Sequence, residues 1–375
     1  MNTQELQKLA NKLRLEAVRM VYEGKDGHPG PALSIADIVA TLYFDAMNVD
    51  PKNPEWEDRD RFILSKGHAC PIWYAALNEK GYFEPKVEHF HLRALGSTFQ
   101  GHPSMHSSKG IDMTSGSLGN GIAIGAGMAA AAKIQKKDYF TYVICGDGEL
   151  QEGVCWEGVN MATGRKLDNL VVFVDRNGWQ SYKSVDFTVG QNNIADRFRA
   201  FGWHTQEISG HDIDGIKAAV AIAKGYKGKP HAIVCDCIKG KGLSFMENNN
   251  AWHKGVPTDE QWEIAKKELQ NIITPDKPRE ITPQLIIEVV SEHFQISLDQ
   301  MISKNRSNEI ARPRQIAMYL CKTMTDIPLD SIGSLLGGRD HSTIIHGIKK
   351  IADEYDSNEQ TRNLIETIKK KINPN

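Results

Sequence analysis

The chain of 375 residues has no apolar run near the roughly 20 residues that a helix needs to cross a bilayer. A helical membrane span is therefore excluded. Its first residues, Met1 to Arg14, read as an amphipathic helix without the apolar core of a secretion signal. Cysteine is scarce, with six in all. Cys70, Cys145, Cys155 and Cys321 are scattered. Cys235 and Cys237 alternate along a strand-like run and are read as pointing to opposite faces, suiting neither a zinc knuckle nor a redox pair. Reduced thiols in a cytoplasmic protein are the expectation. No sign of charge dominates, since the net charge is −2, so the whole chain gives no electrostatic argument for nucleic acid or a membrane surface. Internal repeats and low-complexity tracts are absent. His89 and His91 are close in sequence, but no thiolate lies near them to complete a closed zinc site.

What is present is an alternation of strand and helix. Helices are expected over Thr3–Glu23 and over Ser34–Met47, with Ser34 as N-cap, and a glycine- and proline-rich loop, Gly24–Gly30, lies between them. Strands are expected at 61–65, 139–145, 170–175, 203–208 and 231–238, and helices at 116–134, 150–163, 191–201, 212–224 and 258–272. Residues 176–190 read as loop. This order predicts an α/β fold, a doubly wound and mostly parallel sheet covered on both faces. The small residues at Gly119, Gly121, Gly125 and Gly127 imply close packing of the 116–134 helix. Near Thr274-Pro275-Asp276-Lys277-Pro278 the composition changes and strand signals end. Residues 1–273 are expected to form one domain, 274–280 a linker, and 281–375 a small all-α domain.

The densest chemical signal is Gly146-Asp147-Gly148, directly after an apolar stretch, with Asn177 ending another thirty positions on. A carboxylate and an amide oxygen are hard ligands suited to magnesium or calcium. Both fall where open α/β sheets place ligands, at the C-terminal ends of strands. Gly146 and Gly148 let the backbone approach a phosphate. Magnesium held by few protein oxygens completes its shell with water and phosphate, so a diphosphate cofactor is expected. Four histidines sit in glycine or proline loops rather than on apolar faces: His28, His68, His102 and His253. Imidazoles gathered in one pocket suit proton transfer on a polyhydroxylated substrate.

The segments Gly27-His28-Pro29-Gly30, Ser65-Lys66-Gly67-His68-Ala69, Gly101-His102-Pro103, Thr114 to Gly121, Gly146 to Gly153, Asp175-Arg176-Asn177-Gly178 and Trp252-His253 together resemble the thiamine diphosphate domain of transketolase over residues 3–270. In particular they look like the N-terminal subunit of the split transketolases, whose halves are separate chains. The resemblance implies a metal held by Asp147, Asn177 and the carbonyl of Trp179. It implies cofactor contacts from His68, Gly116, Ser117, Leu118, Gly146, Gly148 and Glu149. His28, His68, His102 and His253 would act on substrate and protons, and Glu152 would meet the partner's activating glutamate. Ser117 stands where many members have proline. The family's pyrimidine-binding domain and the arginines that grip sugar phosphate do not follow, so a C-terminal subunit is expected as partner, in a heterotetramer acting on sugar phosphates.

The tail carries a different pattern. Ile332 to Gly347 reads as helix, glycine turn and second helix, with Asp340 as N-cap. Residues 281–355 resemble the C-terminal DNA-binding domain of the replication initiator DnaA. The resemblance places His341, Ser342 and Thr343 in the major groove of double-stranded DNA, Arg314, Gln315 and Arg339 alongside, and Arg306 in the minor groove. Two other readings remain at this level. One is a DNA-binding regulator with a catalytically idle thiamine fold. The other is a neighbouring thiamine enzyme such as 1-deoxyxylulose-phosphate synthase, against which Trp252-His253 and the short chain speak.

Overall fold

A computed structural model describes residues 1–190, 193–273, 281–305 and 307–372. Its contacts divide into two compact units, Met1–Thr274 and Pro275–Asn375. The expected linker, 274–280, lies outside the described residues. No described helix is long and apolar enough to cross a membrane.

The first unit opens with α1 (Thr3–Gly24), capped by Asn2 in a reciprocal capping box with Glu5. Leu6, Leu9, Ala10, Leu13, Ala17, Val18 and Val21 recur at helical spacing and are buried. Then follow α2 (Pro29–Leu33), α3 (Ala36–Thr41), β1 (Arg61–Leu64), α4 (Cys70–Lys80), α5 (Asn120–Ile134), β2 (Thr141–Gly146), α6 (Gly153–Gly164), β3 (Leu170–Arg176), α7 (Val185–Val189), α8 (Ile194–Ala200), β4 (His204–Ser209), α9 (Ile213–Gly225), β5 (His231–Asp236) and α10 (Asp259–Ile273). The five strands pair in parallel in the order β1-β2-β3-β5-β4.

Alternate residues of the central strands feed two separate cores. Tyr142, Ile144, Val171, Phe173, Ile233 and Cys235 pack on one face, and Val143, Cys145, Val172, Val174, Ala232 and Val234 on the other. Both faces are apolar, which is why these strands are continuous hydrophobic runs. Cys235 and Cys237 belong to the same core, not to opposite faces. A strand has a period of two, so residues i and i+2 share a side. The cysteines of the chain are all buried and free.

Two local expectations are corrected. Ser34 does not cap a helix start. It follows α2, and its hydroxyl donates to Asp175 Oδ2 at 2.7 Å. A carboxylate more than a hundred residues away outbids the local cap. The 176–190 segment is not all loop, since α7 forms with Ser184 as its cap, accepting from Phe187 N at 3.2 Å. Two glycines of α5 have a packing reason, whereas Gly127 has open space around it. A Cβ on Gly121 would lie 2.2 Å from Ser65 Oγ, and one on Gly125 would lie 2.6 Å from Val143 Cγ2.

The second unit is helical: α11 (Pro283–His293), α12 (Leu298–Ile302), α13 (Asn308–Met324), α14 (Leu329–Leu335), α15 (His341–Ser357) and α16 (Glu359–Ile372). Ile286, Val290, Met301, Ile316, Leu320, Ile332, Ile344, Ile351 and Ile365 form its core.

Candidate active site and helix-turn-helix surface

The site of the first unit forms where the strands end. Lys66 and His68 follow β1, Asp147 follows β2, Asn177 follows β3, and Lys239 follows β5. All five line one cavity of about 330 Å³, together with His28, His102 and His253 from connecting loops. The parallel sheet turns every strand's C-terminal end toward the same edge, so residues far apart in the chain converge.

Asp147 is buried, at 2% exposure. Its Oδ1 accepts from Gly148 N at 2.8 Å and its Oδ2 from Gly178 N at 2.7 Å. The Gly148 amide is thus aimed at its own neighbour's carboxylate. Burial, and then the nearby Asp175 carboxylate, push Asp147 up to about 7. The Asn177 amide nitrogen donates to Asp175 Oδ2 at 2.7 Å, which turns the amide oxygen the other way, where it accepts from Trp179 N at 3.0 Å. Among the described residues no three His, Cys, Asp or Glu converge as metal ligands. Any cation here would therefore rely on Asp147 with amide and carbonyl oxygens, a donor set that fits magnesium or calcium and does not fit zinc. A carboxylate held in the wall of a polar cavity with its acidity suppressed also fits a cation, which would restore its charge.

The four histidines do gather. Ring centroids of His28 and His68 lie 5.2 Å apart, those of His28 and His253 5.6 Å, and those of His68 and His253 5.2 Å. His102 packs beside Gly116, its ring 3.7 Å from where a Cβ of Gly116 would be. All four are driven toward the neutral form. Burial and Arg93 lower His28 to about 4. Burial and Lys239 lower His253 to about 3. Burial and Lys66 take His68 well below its ordinary value, and burial with Arg93 lowers His102. Each neutral ring offers one donor and one acceptor. A Cβ on Gly30 would lie 2.6 Å from the Trp252 carbonyl oxygen, so a bulkier residue there would push the His28 loop off the turn that carries His253.

Glu149 turns inward. One oxygen accepts from Ser65 Oγ, and also from Gly119 N at 2.8 Å, while the other accepts from Gly146 N at 3.0 Å. It pins the Gly116–Gly121 loop to the Gly146 turn. A tight turn over Gly148–Gln151 follows before α6 begins, three residues later than the sequence suggests. Gly116, Leu118, Gly146, Gly148 and Glu152 line the cavity, and Ser117 is exposed beside it.

Sequence reasoning missed Lys66, Asp175 and Lys239 as site residues. Lys66 Nζ donates to Asp175 Oδ2 at 2.5 Å and to the Pro31 carbonyl at 2.8 Å, all buried. Burial opposes the Asp175 charge, but the Lys66 ammonium and its hydrogen bonds win and hold the carboxyl below its usual range. Signals existed: a carboxylate inside a fully apolar strand, and a lysine just past the end of another.

In the second unit, α14 and α15 flank the turn at Gly337 and Gly338. Asp340 Oδ1 accepts from Thr343 N at 2.8 Å and caps α15. Its bonds to Ser342 and Thr343 hold its carboxyl well below the usual carboxylate range. Lys304, Gln315, Arg339, Ser342, Thr343 and His346 line a surface cleft of about 1030 Å³, and His341 is exposed at the head of α15. Arg314, expected at DNA, borders the same cleft but is only 3% exposed. Its guanidinium donates to the carbonyls of Met301 at 2.6 Å and of Gln300, Ser303 and Asn305 at 3.0 Å. Four carbonyls around one guanidinium tie α12 and the turn after it to α13, so the arginine also serves the fold. Arg306 lies outside the described residues.

Residues 5–312 match the family described as transketolase, thiamine diphosphate binding domain. The chain is 42% identical over 266 residues to SqwG, a subunit of the 6-deoxy-6-sulfo-D-fructose transketolase of Clostridium sp. (strain MSTE9), covering 71% of this chain and 96% of that one. It is 41% identical over 271 residues to one of the subunits of the apulose-4-phosphate transketolase of Phocaeicola vulgatus, covering 72% and 95%. The crystal structure of transketolase from Campylobacter jejuni superposes with a TM-score of 0.68 at 34% identity, over 72% of this chain and 43% of that chain. Fold and site thus define a thiamine diphosphate-binding domain. The chain belongs to the transketolase family, as a transketolase-type enzyme subunit. Residues 283–351 also match the family described as bacterial dnaA protein helix-turn-helix. The two matches overlap at 283–312, within the second compact unit.

Proposed function

We propose that this chain is the thiamine diphosphate- and magnesium-binding subunit of a two-chain, cytoplasmic transketolase that moves a two-carbon ketol unit between sugar phosphates. One observation carries the reading: the Asp147 carboxylate and the Asn177 amide oxygen end neighbouring parallel strands beside four histidines in one cavity. Asp147, Asn177 and the Trp179 carbonyl would hold the cation. His68, Gly116, Ser117, Leu118, Gly146, Gly148 and Glu149 would shape the cofactor seat, Glu149 by bracing its two loops. When bound, thiamine diphosphate supplies the carbon nucleophile and the electron sink for cleaving and re-forming a carbon–carbon bond. His28, His102 and His253 would hold sugar oxygens and His28 would move protons, since lowered pKa values keep all three rings neutral at neutral pH and leave His28 and His102 an acceptor nitrogen.

A second polypeptide is part of the proposal. The two relatives named as subunits align over 95–96% of their own length, whereas the full-length Campylobacter enzyme aligns over 43%. The other wall of the pocket, facing Leu118 and the exposed Glu152, would come from a pyrimidine-binding subunit in a heterotetramer. The helix-turn-helix unit would add sequence-specific contact with double-stranded DNA through His341, Ser342, Thr343, Gln315 and Arg339, with Asp340 fixing the start of the helix.

The test is reconstitution. Purified alone with thiamine diphosphate and magnesium, the chain should show negligible transfer from xylulose 5-phosphate to ribose 5-phosphate, and a second chain co-purified from the source cell should restore it. Robust transfer by the single chain would refute the two-chain reading.

A further inference from the structure

Lys239 is buried in the wall of the histidine cavity, and the chemistry proposed above makes no use of it. Its ammonium faces three acceptors: Asn250 Oδ1 at 2.8 Å, His253 Nδ1 at 3.0 Å and the Gln180 carbonyl at 3.3 Å. An ammonium has three N–H donors and no lone pair. Three acceptors therefore use all its hydrogens, and the imidazole nitrogen facing it must offer a lone pair. The His253 proton then resides on Nε2, which lies 3.3 Å from Ser181 Oγ. Asn250 is oriented in turn, because its amide nitrogen donates to the Ser181 carbonyl at 3.3 Å and leaves its oxygen for Lys239. Burial and the charge on Lys66 draw the ammonium down only to about 8, so it stays protonated at neutral pH. The turn carrying His253 is anchored independently, with Gly255 N donating to the Gly27 carbonyl at 3.2 Å.

We propose that Lys239 is a positioning residue that locks His253 in its Nε2–H tautomer, so that this histidine offers a hydrogen-bond donor, not a base, to an oxygen of the bound sugar. The tautomer follows from the three contacts of a charged Lys239, while its use on a sugar rests on the transketolase reading. Base work then falls to the other histidines of the cavity.

Long-range ¹H–¹⁵N correlation on chain labelled with ¹⁵N-histidine reads the tautomer directly, with His253→Gln assigning the ring. The wild type should show the Nε2–H pattern. Lys239→Arg, which keeps a charged donor, should preserve it, and Lys239→Met should release the ring to a mixture with Nδ1–H. With the partner subunit present, Lys239→Met should lower kcat by roughly 100-fold, move KM for the sugar far less, and be partly rescued by Lys239→Arg. An Nδ1–H ring in the wild type, or an unchanged ring in Lys239→Met, would overturn the proposal. The wild-type spectrum decides even where Lys239→Met fails to fold. The Nε2–H pattern without ketol transfer under any reconstitution would support the positioning role and sink only the enzymatic reading.

Discussion

The two units spend their chemistry in opposite ways. In the first, the site is assembled from residues 28, 66, 68, 102, 147, 177, 239 and 253, which the parallel sheet brings to one edge. In the second, the exposed candidate residues lie mostly within one run from Arg339 to His346, presented by a single turn and the helix that follows. A distributed site depends on the whole sheet staying in register. A contiguous one depends on a turn and a cap. The first can hold buried charges in tension, as Lys66, Asp175 and Asp147 do. The second keeps its polar groups near solvent, where individual contacts are weaker.

That contrast can be broken at several points. The largest effect is expected at Asp147. Asp147→Ala should weaken magnesium-dependent binding of thiamine diphosphate to the reconstituted enzyme on the order of 10³-fold, about 4 kcal/mol by calorimetry. In the wild type the same affinity should fall as pH drops below about 7, because the raised carboxyl takes up a proton and ceases to be a ligand. Unchanged affinity in the variant would remove the metal assignment.

Next comes the glycine turn of the second unit. Gly337 has φ 88° and a Cβ there would lie 2.0 Å from the Ile302 carbonyl oxygen, whereas Gly338, at φ 71°, has open space around it. Gly337→Ala should cost that unit about 3 kcal/mol and Gly338→Ala about 1 kcal/mol. Equal losses in denaturant melts of the two variants would refute the packing argument.

A smaller effect is expected at the opposite end of the sheet from the cavity. His231 is fully buried, its ring packed beside those of His204 and Tyr226. Burial, then the His204 charge, lower it to about 4. Below pH 6.5 the unfolded chain binds a proton that the folded chain refuses, so stability should drop on acidification by about 2 kcal/mol between pH 6.5 and 5. His231→Phe should remove that share of the slope, the rest coming from the cavity histidines, and a melt series in which the slope is unchanged would assign the sensitivity elsewhere. The smallest is at the helix head. His341→Ala should cost about 1–2 kcal/mol in binding a DnaA-box duplex, and the binding itself should weaken steeply with salt. Equal binding to an unrelated duplex would leave only nonspecific attraction.

The contiguous pattern is the easier to read. Asp340 as a cap, the glycine turn and the helix after it follow from neighbours in sequence, and hydrophobic periodicity places all five strands to within a few residues. Asp147 and Asn177 are legible because each ends a strand-like run. Ser34 escapes such reading because its hydroxyl answers to Asp175, and Arg314 because local pattern cannot show that four carbonyls will surround its guanidinium. Lys239 is invisible for the same reason, since nothing near it in sequence announces His253. The chain's own order of apolar and polar residues determined the strands, the helices and the sidedness of the sheet, because those are set by periodicity and nearest-neighbour hydrogen bonds. Which charge is paired, which imidazole is neutral and which nitrogen holds its proton were decided only by the folded structure, because burial and long-range partners set those free energies.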